Sequence, residues 1–295
     1  MELFAQLVFN GLVVGSIYAL LALGFVVIFK ATSILNFAQG EFLLLGAYVN
    51  LALMSQLRLP FAAAFLLTLG FSVVLGLTLE RVLLRPLLGQ PVISVIVVTL
   101  GLSSVLKAIV QGVWGTDTRP FPEVFPTEPV LLGPLPISQG YLWVIGCVTV
   151  LLLLFTAFFR LTRLGVAMRA TAFSQQVASS MGISVKGIFA LSWSIAAVVS
   201  AAGGALLGAV RGGVDGSLAL FGLKVVPVVI LGGLDSVAGA VVGGLAIGVL
   251  ENLAGGYLDP LLGGGVKEVA PFVALVLILM VRPRGFFGKV HVDRV

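Results

Sequence analysis

Three polar side chains that could take part in chemistry fall within six residues of an otherwise apolar region: Asn36, Gln39 and Glu41. A charged side chain at the centre of a membrane-spanning helix costs about 2.5–3.5 kcal/mol on insertion scales, so such groups usually face a cavity or a polar partner. Two interpretations follow. The three residues either line a water-accessible cavity, or they pair with one another as a structural brace.

Other polar groups lie at the ends of apolar runs. Glu251 and Asn252 close one such run. Lys107 lies within two turns of the end of another, so its long side chain is predicted to extend toward the membrane surface. Asp235 follows a pair of glycines and is predicted to be a turn residue.

Patterns typical of enzymes are missing from the sequence. It has no GxxxxGK[ST] phosphate-binding loop and no HExxH zinc motif, so neither that mode of ATP binding nor that metal chemistry is predicted. The only histidine is His291 and the only cysteine is Cys147, which excludes an internal disulfide and argues against a metal site. We therefore expect a protein that is not an enzyme and that uses no metal or cofactor.

The elements that must position these residues are apolar helices. Of the 295 residues, 59% are hydrophobic and 10% are charged, whereas soluble domains have about 25% charged residues. Repeated apolar runs of about twenty residues predict an all-α, polytopic membrane protein. The net charge of +5 lies in loops and indicates topology, not nucleic-acid binding. The chain begins Met1-Glu2 without a basic region, which predicts a retained first helix instead of a cleaved signal peptide.

The apolar runs predict nine crossings, with eight as an alternative. The join around Asn36 and the run 223–234, which Pro227 interrupts, are too short or too polar for ordinary spans. Broken helices of this kind line protein-buried cavities. The other predicted spans are 7–29, a run ending near Met54, 60–79, 91–114, 141–159, 188–210, 237–253 and 269–281.

Glycines four residues apart occur in several of these spans, and such small faces let helices approach closely in lipid. We interpret them as packing devices. The pairs are Gly11 with Gly15, Gly204 with Gly208, Gly239 with Gly243, and Gly244 with Gly248.

Loop charges predict the orientation of the chain. The segment 160–186 contains three arginines and one lysine but no acidic residue, so the positive-inside rule places it in the cytoplasm. The segment 116–139 holds six of the 13 prolines, which excludes a regular helix, and its acidic residues outnumber its single arginine. It is predicted to lie on the outer face, with the N-terminus also outside and the basic tail 282–295 inside.

The cytoplasmic segment is predicted to form one amphipathic helix bracketed by Gly165 and Gly182, roughly 24 Å long at about 1.5 Å per residue. Its apolar residues recur at spacings of four, three, four and four, which is typical of one stripe along a helix. From this pattern the helix could dock a soluble partner, lie on the inner leaflet with its arginines on lipid phosphates, or act as a plain connector. The stripe is Val166, Ala170, Phe173, Val177 and Met181.

Four motifs in register give the chain a resemblance that covers essentially its full length. They are LNFAQGE at 35–41, the segment from Arg169-Ala170 to Met181-Gly182-Ile183, LGGLDSVAGA at 231–240, and RPRG at 282–285. Together they resemble the shorter of the two permease types in branched-chain amino-acid ABC transporters.

The resemblance implies a single permease domain over 1–295 in a bacterial or archaeal inner membrane, with 116–139 as an extracytoplasmic loop, 160–187 as a cytoplasmic coupling loop and 282–295 as a cytoplasmic tail. It implies a second, different permease chain, two ATP-binding subunits on the cytosolic loops, and an extracytoplasmic substrate-binding protein. The expected cargo is leucine, isoleucine or valine. The family also serves urea and other short amides.

The resemblance also implies a role for the striped helix, as the coupling helix on which the ATPases dock. The expected coupling residues are Arg169, Ala170, Phe173, Val177, Met181 and Gly182. Relatives often carry acidic residues after the Arg-Ala pair, where this chain has Phe173-Ser174-Gln175-Gln176. This difference bears on which ATPase surface matches the helix.

Two other functions are open at this point. An ion-coupled secondary transporter would use an intramembrane carboxylate such as Glu41 and would work without partners. A structural membrane subunit would have no permeation path. Dependence of transport on ATP distinguishes all three.

Overall fold

The computed structural model describes residues 2–87, 90–126, 128–132, 135–282 and 285–287. Pro283 and Arg284 of the fourth motif, and most of the predicted tail with His291, lie outside the described residues.

Helices dominate the fold. Within the described residues, α3 (Phe61–Leu79) continues through a π-helical turn, Glu80–Leu84, and a 3-10 turn, Arg85–Leu87. A further 3-10 turn, Gly216–Ala219, leads into α9 (Leu220–Gly232). The α-helices are α1 (Glu2–Thr32), α2 (Gln39–Gln56), α3 (Phe61–Leu79), α4 (Val92–Trp114), α5 (Gln139–Leu161), α6 (Arg163–Phe173), α7 (Gln175–Ser180), α8 (Val185–Arg211), α9 (Leu220–Gly232), α10 (Val237–Tyr257), α11 (Asp259–Leu262) and α12 (Val266–Val281).

Six helices of the described chain are long and apolar enough to span a membrane: α1, α3 with its continuation to Leu87, α4, α5, α8 and α10. The helices α2, α9 and α12 have 18, 13 and 16 residues. A mostly helical, polytopic membrane fold is thereby confirmed, with four short strands added to it among the described residues; the count of eight or nine spans stays a prediction.

The first helix is the centre of the bundle. It packs against α8, α9, α10 and α5, and most of its length is buried. A helix that is apolar on all sides is expected in such a position, because it has no face for solvent. The helices α3, α4 and α5 are mostly exposed in the single chain, and their exposed residues are largely apolar.

The predicted packing glycines lie where helix backbones cross, except Gly208, which faces the side chains of Val214 and Phe121. A Cβ atom added at Gly15 would lie 2.8 Å from the Gly244 carbonyl oxygen, and one added at Gly11 would lie 2.6 Å from the Val249 Cα. Only glycine allows α1 and α10 to approach this closely. The interpretation of these glycines as packing devices is confirmed.

The proline-rich segment is non-helical where it is described, as predicted. Its strands β2 (Pro129–Leu132) and β3 (Leu135–Ser138) form an antiparallel hairpin that leads into α5. Its strand β1 (Arg119–Pro120) pairs with β4 (Gly213–Val214), which follows α8. The ends of α4 and α8 and the start of α5 therefore lie at one end of the bundle, which we call the hairpin end.

Two predictions about helix continuity are wrong. The cytoplasmic stripe is not on one helix, because Ser174 adopts an extended conformation (φ −159°, ψ 115°) between α6 and α7, and its hydroxyl accepts a hydrogen bond from the Val177 backbone N–H. Serine is favoured at such helix N-caps. The run at 223–234 is not interrupted at Pro227, which is buried inside a continuous α9. Neighbouring helices make proline tolerable in membrane helices.

Candidate functional site

The predicted break around Asn36 is present, and its amide groups are satisfied within the chain. Residues 34–36 are non-helical between α1 and α2. The Asn36 Nδ2 donates to Gln39 Oε1 at 3.0 Å, and the Asn36 Oδ1 accepts from the Ala38 backbone N–H, also at 3.0 Å. Asparagine commonly bonds to the backbone two residues on, and so stabilises turns. The start of α2 is therefore organised by its own sequence.

Gln39 ties this turn to the middle of α8. Its Nε2 donates to the Ser200 hydroxyl at 2.6 Å and to the Ala196 carbonyl oxygen at 3.3 Å. Both Asn36 and Gln39 are fully buried. The contacts of these two amides agree with the brace interpretation, and sequence analysis did not identify Ser200 as their partner.

Glu41 lies in the first turn of α2 and is 7% exposed. Its side chain lies near the side chains of Ser103 and Lys107, both on α4. Lys107 is exposed, and its Nζ lies more than 4 Å from the Glu41 carboxylate oxygens, so the two form no ion pair. With Ser104 and Gln111, it forms an exposed polar row at helical spacing, which we call the α4 polar row.

A second charged group was only partly anticipated. The Lys224 Nζ lies 2.6 Å from Glu251 Oε1, and the Tyr18 hydroxyl donates to Glu251 Oε2 at 2.6 Å. Glu251 is 2% exposed. The sequence singled out Glu251 but neither partner. Lys224 is the single charged residue of α9, a signal that could have identified it.

This charged group lies beside a cavity of about 500 Å³ between α1, α5, α8, α9, α10 and α12. Tyr141, in the first turn of α5, and Arg211, the last residue of α8, line it, so it reaches the hairpin end. The Arg211 guanidinium lies 5.2 Å from the Phe221 ring centroid, and Lys224 Nζ lies 5.9 Å from it. Asn36, Gln39 and Glu41 do not line this cavity.

Arg211 is also close to Asp215, just beyond the end of α8. The side chain of Asp215 accepts a hydrogen bond from the Ser217 backbone N–H at 2.7 Å. Its interaction with Ser217 lowers the pKa of the Asp215 carboxyl, so this group stays ionised beside Arg211.

The coupling segment presents its apolar residues to the outside. Phe173, Val177 and Met181 are 92%, 59% and 78% exposed, while Met168 and Ala178 are buried underneath. Ala170 is half-buried, and Gly182 has the left-handed φ of 82° that lets the chain turn after α7. Although the segment consists of two helices, the predicted docking residues Phe173, Val177 and Met181 remain accessible.

Arg169 has a different environment. Its Nη1 donates to the Phe159 carbonyl oxygen near the end of α5, and its guanidinium lies 5.5 Å from the Phe159 ring centroid. The Gln175 Nε2 donates to the Ala31 carbonyl oxygen at 3.0 Å. These contacts fasten α6 and α7 to the ends of α5 and α1. A role of Arg169 in ATPase contact stays a prediction.

Comparison with known proteins adds independent information. Residues 7–282 match the family model described as "Branched-chain amino acid transport system / permease component". The chain is 31% identical over 307 residues to the high-affinity branched-chain amino acid transport system permease protein LivH of Escherichia coli K12, and 32% identical over 311 residues to the permease protein BraD of Pseudomonas aeruginosa. Both alignments cover 99% of this chain and 98% of the relative.

One solved structure shares the fold. The chain aligns with a chain of PsaBC from Streptococcus pneumoniae in complex with Fab at a TM-score of 0.50 and 14% sequence identity, covering 95% of this chain and 92% of the other. At this identity the similarity concerns the fold alone.

Proposed function

The chain belongs to the family of branched-chain amino acid transport system permeases, and from this premise we propose that it helps to form the path by which leucine, isoleucine and valine enter the cell. It is a multi-pass membrane permease of an ABC transport system and is not itself the ATPase. The match along nearly the whole chain is the observation that carries the proposed cargo.

The partners follow from this assignment. A second permease chain completes the path, two ATP-binding subunits engage α6 and α7, and an extracytoplasmic binding protein delivers cargo at the hairpin end. The exposed side chains of Phe173, Val177 and Met181 support the docking of the ATPases. The contacts of Arg169 and Gln175 with α5 and α1 support coupling, because they would transmit a displacement of α6 or α7 directly to two membrane helices.

We also propose nine crossings: the six long helices together with α2, α9 and α12. With 116–139 outside and 160–187 inside, alternation places the N-terminus outside and the tail 282–295 in the cytoplasm. The pairing of β1 with β4 supports this arrangement, because it requires α4 and α8 to end on the same side.

Glu41 is the residue that we place on the substrate path, with Asn36 and Gln39 holding the turn behind it. The α4 polar row supports this placement. Polar and charged residues on an exposed face of a membrane helix are costly against lipid and usually face water or protein. Glu41, beside this row, would then border the space between the two permeases.

Uptake into proteoliposomes tests the proposal. The permease is reconstituted with its partner permease and ATPases, with binding protein outside and ATP inside, and uptake of radiolabelled leucine is compared with uptake of radiolabelled urea. We expect leucine uptake that requires ATP and every partner. Uptake driven by an ion gradient without ATP would support a secondary transporter. Uptake of urea but not of leucine would show that the cargo is a short amide and not a branched-chain amino acid.

A further inference from the structure

The 500 Å³ cavity has two chemically different walls, and the function proposed above uses neither. Its volume is in the range of about 300–1,000 Å³ that small-molecule sites occupy. One wall is charged and the other is aliphatic. The aliphatic residues are Val13, Val14, Ile17, Leu207 and Val210.

The inner end of the charged wall is already neutralised. Both oxygens of Glu251 are occupied, one by Lys224 and the other by Tyr18, each at 2.6 Å. An ion pair whose carboxylate oxygens both have partners leaves no unpaired charge for a ligand to neutralise. This group therefore forms the fixed floor of the cavity, and a ligand would bind between it and the opening.

Two oppositely charged side chains nearer the opening make no ion pair among the described residues. Arg211 at the end of α8 and Glu268 in the first turn of α12 line the 500 Å³ cavity, and they also line an adjoining cavity of about 240 Å³. Neither side chain has an oppositely charged group within 4 Å among the residues that the structure describes. The neighbouring Lys267 also lines the cavity, and its stem faces Gly255.

We propose that this cavity binds one free aliphatic α-amino acid as the zwitterion. The Arg211 guanidinium binds the carboxylate, because its planar fork matches the two oxygens. Glu268 binds the ammonium group, and the side chain of the amino acid packs on Val14 and Val210. The position at the hairpin end makes this a receiving site for cargo. The inference rests on the proposed function and adds to it a binding site in the permease itself.

Protection from labelling tests the site without the binding protein. Asn10, which lines the cavity, is changed to cysteine in a Cys147→Ala background, and the permease complex is placed in nanodiscs. The rate of maleimide labelling is measured with L-leucine, with 3-methylbutylamine, which lacks the carboxylate, and with 4-methylpentanoate, which lacks the ammonium group. A Thr116→Cys variant, at an exposed loop position, is the control.

We expect leucine to slow labelling at Asn10→Cys but not at Thr116→Cys, with either analogue needing at least about tenfold higher concentration, because each loses a charge-assisted contact. Arg211→Gln should abolish the preference for leucine over 3-methylbutylamine, and Arg211→Lys should keep part of it. Glu268→Gln should abolish the preference over 4-methylpentanoate, whereas Glu128→Gln, at an exposed position just before β2, should change nothing.

Two results would overturn the site. The first is equal protection by leucine and both analogues, which would show a nonselective apolar cavity. The second is no protection by leucine while ATP-driven leucine uptake persists, in which case the proposed function stands and the cavity site falls. If Arg211→Gln changes the labelling of Thr116→Cys, that variant is unfolded. The selectivity of Arg211→Lys then tests the role of the charge at this position.

Discussion

The Lys224 ammonium and the Glu251 carboxylate lie 2.6 Å apart between α9 and α10, and both are largely buried. The Tyr18 hydroxyl occupies the second carboxylate oxygen at 2.6 Å, so this ion pair connects the central helix to two others. Charges in an apolar bundle are tolerated where they pair and where their hydrogen bonds are complete.

Removing one member of this pair should destabilise the protein strongly. Lys224→Met leaves the Glu251 carboxylate buried without its counter-charge, a change that typically costs about 3–5 kcal/mol. The double variant Lys224→Met, Glu251→Gln should recover most of this loss, because no uncompensated charge remains. Unfolding midpoints in detergent measure the effect, with exposed Arg81→Met as the control. A double variant as unstable as Lys224→Met would disprove this explanation.

The crossing of α1 and α10 should tolerate no side chain. In Gly15→Ala the new Cβ would lie 2.8 Å from both the Gly244 carbonyl oxygen and the Leu245 Cα, and such overpacking costs about 1–3 kcal/mol. Gly112→Ala in α4 is the matched control, since nothing lies within 4 Å of its Cβ. We expect a lower unfolding midpoint for the first variant and an unchanged or higher midpoint for the second. Equal midpoints would contradict the close crossing.

The proposed topology predicts that Ser138 and Ser174 lie on opposite sides of the membrane. Single cysteines at these positions, in a Cys147→Ala background, should react with a membrane-impermeant maleimide from outside and inside respectively. The measurement uses intact cells and inside-out vesicles, which are each other's control. Reaction of both cysteines from the same side would refute the arrangement.

Much of this architecture follows from composition and spacing alone. Uniformly apolar runs predict membrane helices, and the spacing of Gly11 and Gly15 predicts a close crossing, because both signals are local. The partners of Glu251 could not be predicted, since Tyr18 is 233 residues away in the chain and only the packing of α1 on α10 brings them together.

The coupling segment shows how a correct pattern can give a wrong element. The stripe of apolar residues was predicted at helical spacing, and Phe173, Val177 and Met181 are indeed exposed. The spacing did not reveal the break at Ser174, because a hydroxyl can either face solvent on a helix or cap the next one. In the structure the Ser174 hydroxyl accepts a hydrogen bond from the Val177 backbone N–H, so it caps α7.

Glu41 and Gln39 should respond differently to substitution. Glu41→Gln removes a charge beside the α4 polar row, and it should slow leucine uptake while leaving the unfolding midpoint and complex assembly intact. Gln39→Ala leaves buried partners such as Ser200 unsatisfied, and it should cost about 1–3 kcal/mol of stability. Uptake rates and size-exclusion profiles of both variants separate the two roles. A Glu41→Gln complex that fails to assemble would make Glu41 part of the brace.

Coupling through α6 and α7 is the central claim, and one double variant tests it. Phe173→Ala, Val177→Ala removes two exposed side chains whose burial would each contribute roughly 1.5–3 kcal/mol, so the affinity for the ATPases should fall by more than about tenfold. Leu66→Ala, Leu67→Ala, at exposed positions of α3, is the matched control.

The measurement is recovery of the ATPase subunits with the purified permease, together with leucine-stimulated ATP hydrolysis of the reconstituted complex. We predict that the Phe173→Ala, Val177→Ala permease inserts and pairs with its partner permease, but recovers little ATPase and shows no stimulated hydrolysis, while the control behaves like the wild type. Equal recovery of the ATPases with undiminished hydrolysis would contradict the account.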